Sequence, residues 1–432
     1  MRRLMATVIA GLIWVGGTAP ALSDVTASER SRIEKAFHAY LRAEDDAARE
    51  KVWAGIKKLA DKLSIEETEE LVRISALGDD WDRGYTDEIE VESAGETWSY
   101  SIILPRRRPK ALIPLVVDVG HGSWKDADAK KREEGMRTWL RAAHADQDIA
   151  YLRTRVIDKL SLDGRYDAWT IPPRRAFDRP NLDTLGRIVL DVIGHACRRY
   201  PIDPDRVHIQ GISQTGYWTW WLAQMAPDRW ASAAPVGSVT MHVRKMVPNV
   251  LGVPLFVLHG TDDPTCPFGQ ARGMVDDVQA AGGSVDFRPT EGGGHMDGVF
   301  VRFGEIWPEM AKLTRTAYPK RVERKITSAL RPGAYWLQAD GIEAAEFNPW
   351  GPPCHVKANI EGQEIRVSAE GCKRVIVFLS PKLVDVTKPV SIHLNGKSAW
   401  SGIPTPEPRQ ALDLARTRGD AVTYGACVSL EL

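Results

Sequence analysis

Three residues in this chain have the types and the order to build an activated nucleophile. Ser213 lies in "HIQGISQTGYW" (208–218), Asp263 in "LHGTDDPTCP" (258–267) and His295 in "EGGGHMDG" (291–298). A serine hydroxyl is a weak nucleophile until a base takes its proton. Histidine is the side chain whose charge changes near neutral pH. A carboxylate behind it holds the tautomer and steadies the imidazolium. Asp262 competes with Asp263 for that place, and one of the two is expected to be an ordinary turn residue. The bland alternatives are that Ser213 merely caps the helix after it and that His295 is one loop histidine among ten.

Attack on a carbonyl also needs two N–H donors for the developing oxyanion. Gln214, the residue after the serine, supplies one. The second is expected from "DVGHGSW" (118–124), from Ser123 N–H, with Gly122 as the fallback and a plain turn as the other reading. Trp124, beside that stretch, and Tyr217, after the serine, are assigned to the substrate surface. Trp218, Trp220 and Trp221 line a cleft or pack in the core, with core favoured for the last two. Residues 157–181 read as a long connection without periodicity that shapes the substrate site. Its Arg174, Arg175 and Arg179 meet either an acidic substrate group or solvent.

The elements that must position these residues are legible as alternating patterns. "RVHIQ" is a strand, the chain turns sharply at Gly211, and 214–226 is helical. That is the context of a nucleophile elbow, in which the turn exposes Oγ and the helix N-terminus faces the oxyanion. The motif departs from G-x-S-x-G at Thr215, whose bulk falls where close packing is expected. "LIPLVVDV", "IAYLRTRV", "PLFVLHG" and "SVDFRP" read as buried strands, with helices over 182–200 and 268–281. Strand–helix alternation argues for an α/β fold, a mostly parallel sheet flanked by helices. Asp263 and His295 each follow such a strand.

Before this sheet, 26–78 has helical periodicity, with Ser64 and Glu67 as a capping box and Gly78 as the stop. A hairpin follows, turning at Ala94-Gly95. After about residue 322 the helical signal stops and short strands dominate, with a turn at Asn395-Gly396. The expected division is a leader at 1–23, a helical segment at 24–82, a catalytic domain at 83–322 and an all-β, or at least β-rich, domain at 323–432.

The leader is read from Met1-Arg2-Arg3, the apolar "LMATVIAGLIWVGG" and the small residues "APALS". The apolar run is short of the ~20 residues a membrane span needs, so export with cleavage is favoured over a retained anchor. The expected location is periplasmic or extracellular, with no membrane contact after cleavage. Lys+Arg and Asp+Glu both total 57, which removes any bulk electrostatic case for nucleic acid. Five cysteines leave one odd in an exported protein, and one pair among Cys354, Cys372 and Cys427 is a candidate bridge. No C-x-x-C or H-x-x-x-H spacing suggests a metal, and no cofactor is implied. Oligomeric state is not readable.

"IDPDRVHIQGISQTGYWTW…APDRWASAAPVGS", "HGTDDPTCP" and "GGGH" together resemble the secreted α/β-hydrolase esterases and peptidases. That group includes the polyhydroxyalkanoate depolymerase, feruloyl esterase and prolyl-oligopeptidase-like branches. The resemblance covers about residues 100–320 and puts the triad acid on Asp263. It departs at Thr215 and at Gly-His-Gly-Ser, where a more apolar residue usually precedes the His-Gly pair. It implies hydrolysis of a small-molecule or polymer ester through an acyl-enzyme. The alternatives are a peptidase acting on short peptides and a non-catalytic binding protein. A full prolyl oligopeptidase carries a β-propeller, for which the ~60 residues before the hairpin leave no room.

Overall fold

The computed structural model describes residues 25–120, 126–144, 148–162, 179–240, 243–297, 299–327, 331–342 and 354–432. The leader, Gly122, Ser123, Trp124, Arg174 and Arg175 lie outside them.

The chain begins with α1 (Ala27–Arg42), α2 (Asp46–Ala60) and α3 (Ile65–Ala76). Ser64 and Glu67 form the expected capping box, and Thr26 with Glu29 forms another. Gly78 has a reason other than stopping a helix. A Cβ there would fall 2.2 Å from the Arg199 carbonyl carbon, so glycine permits the close backbone crossing.

Next come β1 (Gly84–Ser93), β2 (Glu96–Leu104), β3 (Ile113–Asp118), α4 (Ala129–His144), β4 (Ala150–Thr154), α5 (Val156–Leu162) and α6 (Arg179–Arg199). They are followed by β5 (Ile202–Ile212), α7 (Gln214–Met225), β6 (Ser232–Val236), β7 (Leu255–Gly260), α8 (Phe268–Ala280), β8 (Val285–Thr290) and α9 (Val299–Met310). The eight strands form one sheet in the order β1-β2-β4-β3-β5-β6-β7-β8. β1 and β2 pair antiparallel and β2 meets β4 antiparallel; from β4 to β8 every pairing is parallel. This is the α/β-hydrolase fold. The connection expected over 157–181 carries two helical pieces, α5 and the start of α6, so part of it is ordered by backbone hydrogen bonds.

One core, with Ile188, Val189, Ile209, Trp220 and Trp221, fills one face of the sheet; another, with Met136, Phe256, Phe303 and Trp307, fills the opposite face. Every residue of α7 is buried, and its polar Thr219 and Gln224 side chains each donate to a backbone carbonyl, as buried polar groups must.

The remaining strands are β9 (Arg321–Ile326), β10 (Gly333–Ala334), β11 (Leu337–Asp340), β12 (Cys354–Glu361), β13 (Glu364–Glu370), β14 (Arg374–Leu379), β15 (Val390–Leu394), β16 (Lys397–Gly402) and β17 (Ala426–Glu431). They form sheets β10-β11-β14-β17 and β16-β15-β13-β12-β9. Helix α10 (Pro408–Arg418) interrupts this β-rich region, where the helical signal was expected to have ended. Pro408 at its first turn and left-handed Gly419 after its last bracket it, the usual helix punctuation. Ala411, Leu412 and Ala415 join the core of α1–α3, so the two ends of the described chain share one hydrophobic cluster.

The β-rich region is bound to the hydrolase sheet by buried ion pairs. Arg315 grips Asp420 through both terminal nitrogens and also reaches Asp205. Arg331 and Arg418 meet Asp228. Burial alone would raise the Asp228 carboxyl, but these cations outweigh it and hold it below its ordinary value. The five cysteines carry no disulfide; the Cys354 and Cys372 side chains touch.

Candidate active site

Ser213 is placed by strain rather than by a cap. Its φ is 57° and ψ −118°, and its side chain makes no capping hydrogen bond. A non-glycine residue holds this conformation only where its surroundings impose it. Ser213 N–H donates to Val236 O at 2.8 Å, pinning the turn to β6. Gly211 tolerates the fold-back, since a Cβ there would lie 2.3 Å from Thr215 O.

Thr215 does not disturb the turn; it closes it. Its Oγ1 accepts from Ile212 N–H at 2.8 Å and donates to Ile212 O at 2.9 Å. The close packing expected at position 215 falls instead on Gly216, where a Cβ would meet Val236 O and Ser238 Cβ at 2.8 Å.

The three candidate residues meet in one chain of hydrogen bonds. Ser213 Oγ lies 2.9 Å from His295 Nε2, and His295 Nδ1 lies 2.7 Å from Asp263 Oδ2. With the proton on Nδ1, the ring donates to the carboxylate and accepts from the serine. The second carboxylate oxygen, Oδ1, accepts from Thr265 N–H and Cys266 N–H, both at 2.8 Å. Asp263 is buried, whereas Asp262 is exposed and uses its backbone N–H to hold Gly293 O at 2.9 Å.

Glycines decide how these loops approach. A Cβ on Gly260 would lie 2.2 Å from Gly293 O, so glycine at this position lets the loop carrying His295 cross close over the end of β7. Gly237 has φ +49°, and a Cβ on it would sit 3.3 Å from His295 O and 3.8 Å from Asp263 Oδ2. Sequence reasoning missed Gly237; its signal was "PVGS" after a small-residue strand.

Gln214 opens α7, so its N–H has no carbonyl four residues back within the helix. Near the other expected donor, Asp118 Oδ1 accepts Gly120 N–H at 2.8 Å and Oδ2 accepts from Arg153 Nη1 at 2.7 Å. The donor itself, Ser123 or Gly122, and Trp124 lie outside the described residues. Tyr217 was expected on the substrate surface but is buried in the main core, against Trp218. Trp218, Trp220 and Trp221 are core residues as well. Helix α7 is buried along its whole length.

Asp263, Cys266 and His295 present ligand atoms within 4.8 Å of one another. Burial, reinforced by Asp263, pushes the Cys266 thiol up to about 12, while both His295 ring nitrogens and both Asp263 oxygens are already engaged in hydrogen bonds. Asp263 and His295 are thus occupied by the hydrogen-bond chain to Ser213. Among the described residues, no helix is long and apolar enough to cross a membrane.

No family model matches the chain. A 203-residue stretch is 29% identical to NocK of Nocardia uniformis subsp. tsuyamanensis, whose name assigns it a proposed esterase activity; it covers 45% of this chain and 53% of NocK. The matching stretch thus spans about half the length of that relative. Among solved structures, a thermostable esterase overlaps with TM-score 0.40 at 20% identity, covering 53% of this chain and 63% of the other. An acylaminoacyl peptidase in complex with a chloromethyl ketone overlaps with TM-score 0.41 at 15% identity, over 55% and 43%. A cold-adapted esterase from an Arctic intertidal metagenomic library gives 0.40 at 14%, over 55% and 97%. Overlap of this extent says nothing of substrate.

Proposed function

We propose that the protein is an exported serine hydrolase that cleaves carboxylic esters. One observation carries the reading: Ser213, His295 and Asp263 are joined by hydrogen bonds of 2.9 and 2.7 Å, with the serine held in a strained turn at the N-terminus of α7.

In this mechanism Ser213 Oγ attacks the ester carbonyl carbon while its proton passes to His295 Nε2. The carbonyl oxygen takes up negative charge at the start of α7, where Gln214 N–H and the helix dipole stabilise it. His295 then gives its proton to the departing alcohol oxygen, leaving an acyl-serine. Water repeats the sequence in reverse, with His295 as its base, and releases the acid. Asp263 stays ionised and keeps the imidazolium oriented. The name of NocK supports an ester over an amide.

The test is labelling with a fluorophosphonate probe beside Ser213→Ala, followed by p-nitrophenyl ester and peptide panels. Labelling of wild type only, with ester turnover reduced by ~10⁴-fold or more in the variant, supports the reading. Faster cleavage of peptides than of esters assigns the site to a peptidase. A folded wild type that does not label is a binding protein on a hydrolase fold. N-terminal sequencing of the mature protein tests export.

A further inference from the structure

A second histidine stands behind the carboxylate of the triad. His259, near the end of β7, is buried. Its Nε2 lies 2.7 Å from the Cys266 carbonyl oxygen and 3.5 Å from Asp263 Oδ2. A carbonyl can only accept, so Nε2 carries the proton and donates it. Nδ1 is buried without a hydrogen-bond partner among the described residues. The ring meets Phe268 edge-on, with centroids 6.0 Å apart.

These contacts connect His259 to the acid by a short route. The Cys266 carbonyl belongs to the turn 263–266. That turn's own N–H groups, from Thr265 and Cys266, hold Asp263 Oδ1. Fixing the carbonyl end of the turn fixes those two donors. Oδ1 then stays occupied, and Oδ2 is left aimed at His295 Nδ1. At 3.5 Å the direct contact between His259 and Oδ2 is too long for a strong hydrogen bond, so the turn transmits the main effect. An apolar residue at 259 would leave the Cys266 carbonyl unpaired in a buried site and free the turn to shift. Misplacement of about 1 Å is enough to lower a rate ~100-fold.

We propose that His259 is a positioning residue for the reaction: as an Nε2–H donor to Cys266 O, it locks the 263–266 turn and thereby aims Asp263 at His295. This rests on the serine-hydrolase reading for its kinetic consequence, but the locking itself is a property of the fold.

The experiment compares His259→Leu with His259→Gln in the full chain. Glutamine keeps an N–H donor of similar reach; leucine keeps bulk and removes the donor. Expected for His259→Leu is a kcat ~10- to 100-fold lower at near-constant KM. Its acid limb of kcat/KM should move to lower pH, because a poorly aimed Asp263 stabilises the His295 imidazolium less. His259→Gln is expected to recover most of kcat. Should the leucine variant fail to fold, His259→Asn, too short to span to Cys266, gives the same contrast. Equal kinetics in the leucine and glutamine variants, whether both impaired or both normal, overturn the proposal. A second readout does not need turnover: the low-field proton NMR signal of an imidazole N–H bound to a carboxylate. It should survive in His259→Gln and weaken or vanish in His259→Leu; an unchanged signal in both also overturns the proposal. Fluorophosphonate labelling of wild type, run alongside, reports separately on the serine-hydrolase reading.

Discussion

Arg324 of β9 donates from Nη1 to the Gln224 carbonyl at 2.8 Å and from Nη2 to the Met225 carbonyl at 3.1 Å. The β-rich region therefore caps the far end of the helix that begins beside Ser213. Carbonyls in the last turn have no intrahelical donor and carry the negative end of the dipole, so a guanidinium satisfies both. Burial lowers the Arg324 pKa to about 10, and the group remains charged at neutral pH. Arg324→Met is expected to cost about 2–4 kcal/mol, since buried carbonyls lose a charged donor. Urea unfolding measures it. Fluorophosphonate labelling of the variant should also slow, because the helix end and the elbow belong to one rigid element.

Thr215 offers a prediction opposite to the motif. Replacing it with glycine restores G-x-S-x-G yet removes both hydrogen bonds to Ile212. Thr215→Val removes the same bonds while keeping the shape. Each variant is expected to lose about 1–3 kcal/mol of stability and to react more slowly than wild type. A faster Thr215→Gly enzyme would show that the threonine is a burden.

Gly237 is tested by the smallest addition. In Gly237→Ala the methyl must enter at φ +49°, 3.3 Å from His295 O. The left-handed conformation costs about 1–2 kcal/mol for a residue with a Cβ. Displacing the His295 loop should lower kcat by ~10-fold or more with little change in KM. Steady-state kinetics on an ester found by the panel decides it.

Two kinds of buried group give stability opposite slopes with pH. Glu69, on α3, accepts from Ser380 Oγ and Gly425 N–H, but burial outweighs both and raises its carboxyl to about 7 from 4.5. The folded state holds this proton more tightly than the unfolded one, so the contribution is full below 4.5 and is lost as pH rises through about 7. The loss is on the order of 3 kcal/mol, and Glu69→Gln should abolish it. His144 and His208 are held down at about 3, from 6.5, chiefly by burial. Their contribution is full above 6.5 and is lost as pH falls toward 3. His144→Leu should flatten that acid limb. Urea midpoints of wild type and both variants across the range separate the two effects.

How much of this was legible depended on what each residue had to signal. Ser213 announced itself because a serine between a strand and a helix needs a reason, and Asp263 and His295 because each follows a strand. Choosing between Asp262 and Asp263 took the resemblance, since both are turn-like; burial separates them in the structure. β6 escaped because "SAAPV" is made of small residues and contains Pro235, which argues against a central strand. α4 is short of apolar residues and rich in charge over 129–137, so its buried stripe of Met136, Leu140 and Ala143 is thin. α10 was readable from Pro408 and Gly419 but was hidden among strands. His259 carried no sequence signal: its role depends on a carbonyl seven residues later that turns back to meet it.

The shared cluster of α1–α3 and α10 has a consequence for the order in which the molecule can assemble. Tyr40 Oη donates to Asp413 Oδ1 across a separation of 373 residues, at 2.7 Å. The helices of 27–76 share their apolar cluster with Ala411, Leu412, Ala415 and Ala421, far along the chain. Closing so long a loop is entropically costly and slow compared with local contacts. Until α10 is in place, the cluster of α1–α3 lacks part of its apolar cover. The final helix acts as a clasp, and a chain interrupted before residue 408 keeps its first helices unsealed.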